Sequence, residues 1–444
     1  MHEAGVQYIR GKIRKARTLK TPVQPFFRHG HTPMPDSALL IFTATYLGVA
    51  AGRIPGLNLD RTGIALLGAI AMVASGAVPL ASAMTAIDLP TIILLYALMV
   101  VSAQLRLGGF YTWIAGRTVP LLARPRLFLL SSMLLAAVLS ALLANDIVCL
   151  AFTPVLTLSL LRAGLNPVPF LIGLACASNI GSAATIIGNP QNMLIGQIGR
   201  LDFGKFILWC APPALLALAG AYLVICRRYR NRFLTEKDEP TSMQHAPWPA
   251  FNSWQSSKGV FAVLALVGLF FTPIPRELSA ITVAGLLLCS RKMHSRQIME
   301  LVDWHLITLF CALFIVVHGL EGQGAPAALM TALSNHGIQI TDLYALTATS
   351  TLLSNLVSNV PAVMLLIRFL DPGMPEQWYV LALASTFAGN LILIGSIANL
   401  IVIEQAKRFG IDIRFREHAA VGIPVTFFSL LLLLLLIYLR GSIA

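Results

Sequence analysis

The chain has 444 residues, is 57% hydrophobic and only 11% charged. Soluble domains carry roughly 25% charged residues, so this composition excludes an ordinary soluble domain and marks an all-α polytopic membrane protein. A net charge of +13 would suit nucleic acid in a soluble protein; in a chain this apolar it assigns Lys and Arg to cytoplasmic loops, and no nucleic-acid partner is expected. Cys149, Cys176, Cys210, Cys226, Cys289 and Cys311 lie in or beside apolar segments with no C-x-x-C, so they read as buried small residues, not as a disulfide framework or a zinc site.

Residues 1–36 form a basic tail that reads as a membrane-surface or disordered segment, and Met34 offers an alternative start. Ser37–Ala51, Thr62–Ser75 and Leu89–Leu105 read as spans. Gly108–Ala123 is amphipathic and carries Arg117, which predicts an interfacial helix. Leu127–Leu161 is apolar but interrupted at Ala144, Asn145 and Asp146. Each half has about 15 residues where a span needs about 20, so a re-entrant hairpin with a polar tip is expected, with two ordinary spans as the alternative. Val168–Gly196 contains SNIGSAATIIGNPQNMLIG, where Gly188, Asn189 and Pro190 should break the helix. Phe206–Ile225 is a clean span, and Cys226–Ser257 is the one long hydrophilic loop inside the chain.

The pattern then repeats. Gly259–Phe271 and Leu278–Cys289 are short spans, and Asp303 opens a segment that matches the one from Asp88. Ala325–Gly337 is the second interfacial segment. Leu343–Phe369 is interrupted at Ser358, Asn359 and Pro361. Trp378–Ile403 holds AGNLILIGSIANLIVI, which places Gly395 on Gly188 and Asn399 on Asn192, and Ala419–Leu439 closes the chain. The organisation is therefore a tail (1–36), a first repeat (37–226), a cytoplasmic connector (227–257) and a second repeat (258–440). Each repeat has five crossings plus one hairpin, and an odd number requires inverted repeats with a broken helix in each. With the connector inside, 20 Lys and Arg fall inside and five outside (Arg200, Lys205, Arg276, Arg368 and Arg440), which orients the protein in a cell membrane.

Two hairpin tips and two helix breaks should meet near the midplane. The first repeat supplies Asn145, Asp146, Ser178, Asn179, Thr185, Asn189, Gln191 and Asn192; the second supplies Ser354, Ser358, Asn359, Asn390, Ser396 and Asn399. Amide oxygens and unwound carbonyls suit Na⁺, expected near Asn145, Asp146, Asn189, Asn359 and Asn399, and half-helix N-termini suit an anion. A carboxylate at membrane depth makes Asp146 the sharpest candidate, for binding a coupling cation or carrying a proton, against a capping role for α-helix start. Asp88 and Asp303 read as caps at the membrane surface, His318 as a satisfied buried histidine, and no Lys or Arg is expected at the polar centre.

LLANDIVCLAFTPVL, SNIGSAATIIGNPQNMLIG, SNVPAVMLL and AGNLILIGSIANL together resemble the ion-transporter superfamily of divalent anion–sodium symporters, citrate transporters and arsenite permeases, and within it the anion permeases. The resemblance covers the chain from Ser37 onward. It implies a homodimer, an elevator-type motion and transport of a small anion coupled to Na⁺ or H⁺, with no other cofactor. The sodium–dicarboxylate branch carries Ser-Asn-Thr at both tips; here they read Ala144-Asn145-Asp146 and Ser358-Asn359-Val360, and the acidic tip is similar to that of arsenite permeases. Arsenite or antimonite efflux and cation/proton antiport are the alternatives within the superfamily, and a passive channel is the alternative outside it. H-E-x-x-H and G-x-G-D are absent, so an intramembrane protease is not expected.

Overall fold

The structure, a computed structural model, describes residues 35–52, 54, 56–234, 250–290, 292–321, 339 and 341–441. The basic tail up to residue 34, the centre of the connector (235–249) and the second interfacial segment (Ala325–Gly337) lie outside these residues. The described helices belong to one contact unit within Pro35–Ala444.

Apart from one isolated bridge between Leu165 and Leu234, the regular structure is helical. The first repeat contains α1 (Pro35–Ala51), α2 (Arg61–Ala74), short α3 (Leu80–Ala86), α4 (Leu89–Leu107), α5 (Phe110–Gly116) with a 3-10 turn at Val119–Ala123, α6 (Pro125–Leu142), α7 (Asn145–Arg162), α8 (Pro167–Ser182), α9 (Pro190–Ile198) and α10 (Phe203–Arg228). The second contains α11 (Ser253–Phe270), α12 (Arg276–Leu288), short α13 (Ser295–Met299), α14 (Trp304–Glu321), α15 (Leu343–Val357), α16 (Asn359–Leu366), α17 (Pro375–Ala388), α18 (Ile397–Lys407) and α19 (Phe415–Gly441). Acidic caps start several of them: Asp60 accepts from Gly63 N (2.8 Å), Asp88 from Thr91 N (2.9 Å) and Asp303 from Leu306 N (3.0 Å). Each satisfies a backbone donor that the first turn leaves free.

Among the described residues seven helices, α4, α6, α7, α10, α11, α14 and α19, are long and apolar enough to cross a membrane. Leu208, Leu215, Leu216 and Leu223 of α10 are exposed along one side, as a lipid-facing surface requires. The arms of the first hairpin are 18 residues each, longer than the expected 15, because the helices continue to Pro125 at one end and Arg162 at the other. Gly181 lets α8 touch α6: a Cβ there would lie 2.3 Å from the carbonyl oxygen of Ala137.

The first break differs from expectation. Helix α8 ends at Ser182, not at Gly188, and Ala183–Asn189 are non-helical. The reason is Asn192, whose Nδ2 donates to the Ser182 and Thr185 carbonyls (3.2 and 3.0 Å) and so replaces helical donors. The second break, between Ala388 and Ile397, is closed the same way: Asn399 Nδ2 donates to Gly389 O (2.8 Å) and Ile392 O (3.3 Å). The second hairpin turns on a single residue, Ser358, at φ 77 and ψ 159.

The packing of the two halves of the chain is reciprocal. α2 packs on α14 as α4 packs on α12; α7 packs on α18 as α16 packs on α9; and α6 packs on α8 as α15 packs on α17. Cys149, Cys176 and Cys210 are buried as expected, but Cys226 and Cys311 are half-buried and Cys289 is exposed, because α12 ends just before it.

Candidate functional site

Asn179 is the centre of the polar cluster. From α8 its Oδ1 accepts from Asn145 Nδ2 at the hairpin tip (3.2 Å) and from Ser396 Oγ (2.9 Å). Its Nδ2 donates to Asn390 Oδ1 (2.9 Å) and Asn399 Oδ1 (3.1 Å). One amide thus joins the first hairpin to the second broken helix. Such buried networks are stable only when their members are satisfied together.

The tip itself is tied down by its neighbours. Asn145 N donates to Gly188 O (3.1 Å), Ser178 Oγ donates to Asn145 O (3.1 Å), and Thr185 Oγ1 donates to Ala141 O (2.5 Å). Asn189 caps α9 by accepting from Asn192 N (2.8 Å). Its Nδ2 donates to Ser182 Oγ (3.0 Å) and Thr386 Oγ1 (3.3 Å), and Gln191 Nε2 donates to the same Thr386 Oγ1 (3.4 Å). Thr386 and Ser182 escaped the sequence reading. Thr386 stands 207 positions after Asn179, the same separation as Asn192 and Asn399, so the repeat itself was the signal that would have found it.

Asn145, Asp146, Gln191, Ser358, Asn359 and Ser396 line one cavity of about 20 Å³. The Oδ1 atoms of Asn145 and Asn359 are buried there and make no hydrogen bond among the described residues, and the same holds for Ser354 Oγ and Asn390 Nδ2. Asn145 and Asn359 Oδ1, with the Asp146 carboxylate, are hard oxygen donors of the kind Na⁺ takes. The structure therefore brings together both tips, Asn145 and Asn359, with Gln191 and Ser396. It leaves Asn192 and Asn399 behind that wall, bracing the breaks.

A second cavity of about 90 Å³ adjoins Asp146 and is lined also by Arg106, Met193, Asp303, Leu306 and Ile401. One expectation is corrected here, that no Lys or Arg stands near the polar centre, since Arg106 lines this cavity. Asp146 makes no hydrogen bond or ion pair among the described residues, and α7 has no side-chain cap, so it is not a structural cap. Asp303 does cap α14, yet it also faces the cavity of Asp146. Arg106 places a guanidinium beside the polar centre, where none was expected. It stands in the last turn of α4, which continues to Leu107. His318 lies elsewhere, part-exposed and paired with Glu321 (3.1 Å). Among the described residues no group of three or more His, Cys, Asp or Glu is placed to hold a metal ion.

A family model described as citrate transporter matches residues 38–388. The chain is 29% identical to a 46 kDa membrane protein of Mycobacterium leprae, over 91% of this chain and 98% of the relative. It is 29% identical to the silicon efflux transporter LSI3 of Oryza sativa subsp. japonica, over 84% and 91% respectively. It is 31% identical to the inner membrane protein YbiR of Escherichia coli, over 75% and 84%.

Proposed function

Because the chain belongs to the citrate-transporter family, we propose that it is a secondary active transporter that carries a small anion or oxyanion across the cell membrane, coupled to Na⁺ or H⁺. The observation that carries this reading is the joining of both repeats through Asn179, beside an Asp146 carboxylate without a protein partner. A cation at Asp146, Asn145 Oδ1 and Asn359 Oδ1 would offset the charge of an anion bound among the amides. The two cavities, about 20 and 90 Å³, have room for a few water-sized groups. That size favours an oxyanion of few atoms, and the silicon relative agrees with it. Asn189, Gln191, Ser358 and Ser396 shape the pocket, while Ser178, Thr185, Asn192, Asn390 and Asn399 hold its backbone.

The reciprocal packing of the repeats supports inverted repeats, each of five crossings and a re-entrant hairpin. The hairpins and broken helices α6–α10 and α15–α19 form the unit that moves, elevator-like, against α1–α4 and α11–α14. The Lys and Arg bias supports a cytoplasmic 227–257 connector, and the family supports a homodimer.

The test is flux in proteoliposomes with citrate, arsenite and silicate, each with and without a Na⁺ or pH gradient. Gradient-driven uptake of at least one is expected. Asp146→Asn should lower it more than 100-fold while the protein still elutes as a folded particle. Flux at channel rates that ignores both gradients, or a fully coupled Asp146→Asn variant, would sink the reading.

A further inference from the structure

The two repeats carry the same basic residue at the same place, but in two different states. Arg276 is the first residue of α12. It donates from Nε to Gln197 Oε1 (3.1 Å), from Nη1 to Leu201 O (2.8 Å) and from Nη2 to Gly196 O (2.7 Å). Gln197 Nε2 donates in turn to Glu277 Oε2 (2.9 Å). The guanidinium therefore covers the Gly196 carbonyl in the last turn of α9, the negative end of that helix, and the Leu201 carbonyl in the turn that follows. Helix α9 carries the polar site, whereas α12 packs on α4 and α11.

The counterpart residues follow from the repeat. Arg61 opens α2 as Arg276 opens α12, 215 positions apart, the same separation as the capping residues Asp88 and Asp303. Glu404 of α18 stands 207 positions after Gln197, as Asn399 does after Asn192. Yet neither the Arg61 nor the Glu404 side chain makes a hydrogen bond or ion pair among the described residues, and Glu404 is exposed. A second pair behaves alike. Arg368, just beyond α16, pairs with Glu321 at the end of α14 (2.5 Å). The counterpart of Glu321, 215 positions earlier, is Arg106, and it is unpaired among the described residues.

We infer that Arg276 and Arg61 are alternating latches: Arg276 holds α9 in the arrangement seen here, and Arg61, closing on Glu404 and the end of α18, holds the opposite one. A purely static cap on α9 gives no reason for its counterpart to stand open. Two latches that close in turn do, because a unit that moves between inverted scaffolds can satisfy only one at a time. The inference rests on the inverted-repeat and moving-unit reading proposed above.

The test reads accessibility, so it needs no substrate. Ile401 lines the Asp146 cavity. Ile401→Cys is placed in a protein with Cys226, Cys289 and Cys311 changed to Ser, and labelled with a membrane-impermeant maleimide from each face of oriented vesicles. Arg276→Gln should raise labelling from the Arg276 face about tenfold. Arg61→Gln and Glu404→Gln should shift it the opposite way, and Arg276→Lys should lie between. If Arg276→Gln fails to fold, Glu277→Gln set against Glu404→Gln carries the same opposition. Shifts of the same sign, or unchanged rates in variants that melt normally while the parent labels from both faces, would overturn the latches alone. A parent and variants that never label from the Arg276 face would instead remove the moving-unit reading beneath them.

Discussion

The two helix breaks solve one problem with the same residue and then diverge. At each, an asparagine reaches back to two carbonyls that a helix would otherwise have satisfied: Asn192 at the first, Asn399 at the second. In a bilayer no solvent is at hand to do this, so the amide makes the break possible. The surroundings differ. The first break is buried almost throughout, and a Cβ at Gly188 would lie 2.3 Å from the Ser182 carbonyl oxygen. The second is looser: Ile394 is exposed, and a Cβ at Gly395 would come no nearer than 3.0 Å to the Asn355 side chain and 3.2 Å to the Gly389 carbonyl oxygen. The hairpin tips diverge in the same direction, Asp146 at the first and Val360 at the second. The same backbone solution thus occurs at both breaks, while charge stands at one hairpin tip alone.

Five substitutions test this comparison. Asn179→Ala should cost most, about 3 kcal/mol in detergent unfolding, because it strands polar groups on both repeats at once. Asn192→Ala should cost about 2 kcal/mol because it frees two carbonyls, and Asn399→Ala somewhat more because it also removes the acceptor of Asn179 Nδ2; the reverse order would mean that the Asn179 bond adds nothing to the second break. Gly188→Ala should cost about 1.5 kcal/mol because its new methyl meets backbone. Gly395→Ala should cost less, about 0.5 kcal/mol, because its nearest contacts are longer and need only a small shift, and Ala stiffens the unfolded chain. Equal losses at the two glycines would erase the distinction between a packed and a loose break.

Much of this was legible in the residues. Clustered Asn, Gln, Gly and Pro inside apolar runs pointed to the broken helices, although single prolines such as Pro154 and Pro424 sit inside unbroken ones, and the Gly188 and Asn192 pattern recurs at Gly395 and Asn399. The early end of α8 was not legible, because SNIGSAAT is compatible with continued helix and the residue that ends it, Asn192, comes ten positions later. Arg106 was hidden for another reason. An arginine at the end of an apolar run looks like an interfacial anchor, and only the packing of α4 on α9 and α14 brings it to the cavity that Asp146 also lines. Thr386 was hidden because a threonine in an apolar helix usually bonds its own backbone; here its hydroxyl accepts from Asn189 and Gln191.

Ser358 has a consequence of a different kind. At φ 77 and ψ 159 its backbone occupies a region that is essentially glycine's, at a cost of about 1–3 kcal/mol. Such a residue stays put only while its neighbours overrule it. The second tip is therefore preloaded: withdraw the packing around it and the turn relaxes unaided, whereas the first tip, built from ordinary conformations and pinned by Gly188 and Ser178, has no such tension to release. Of the two hairpins, it is the uncharged one that behaves as the spring.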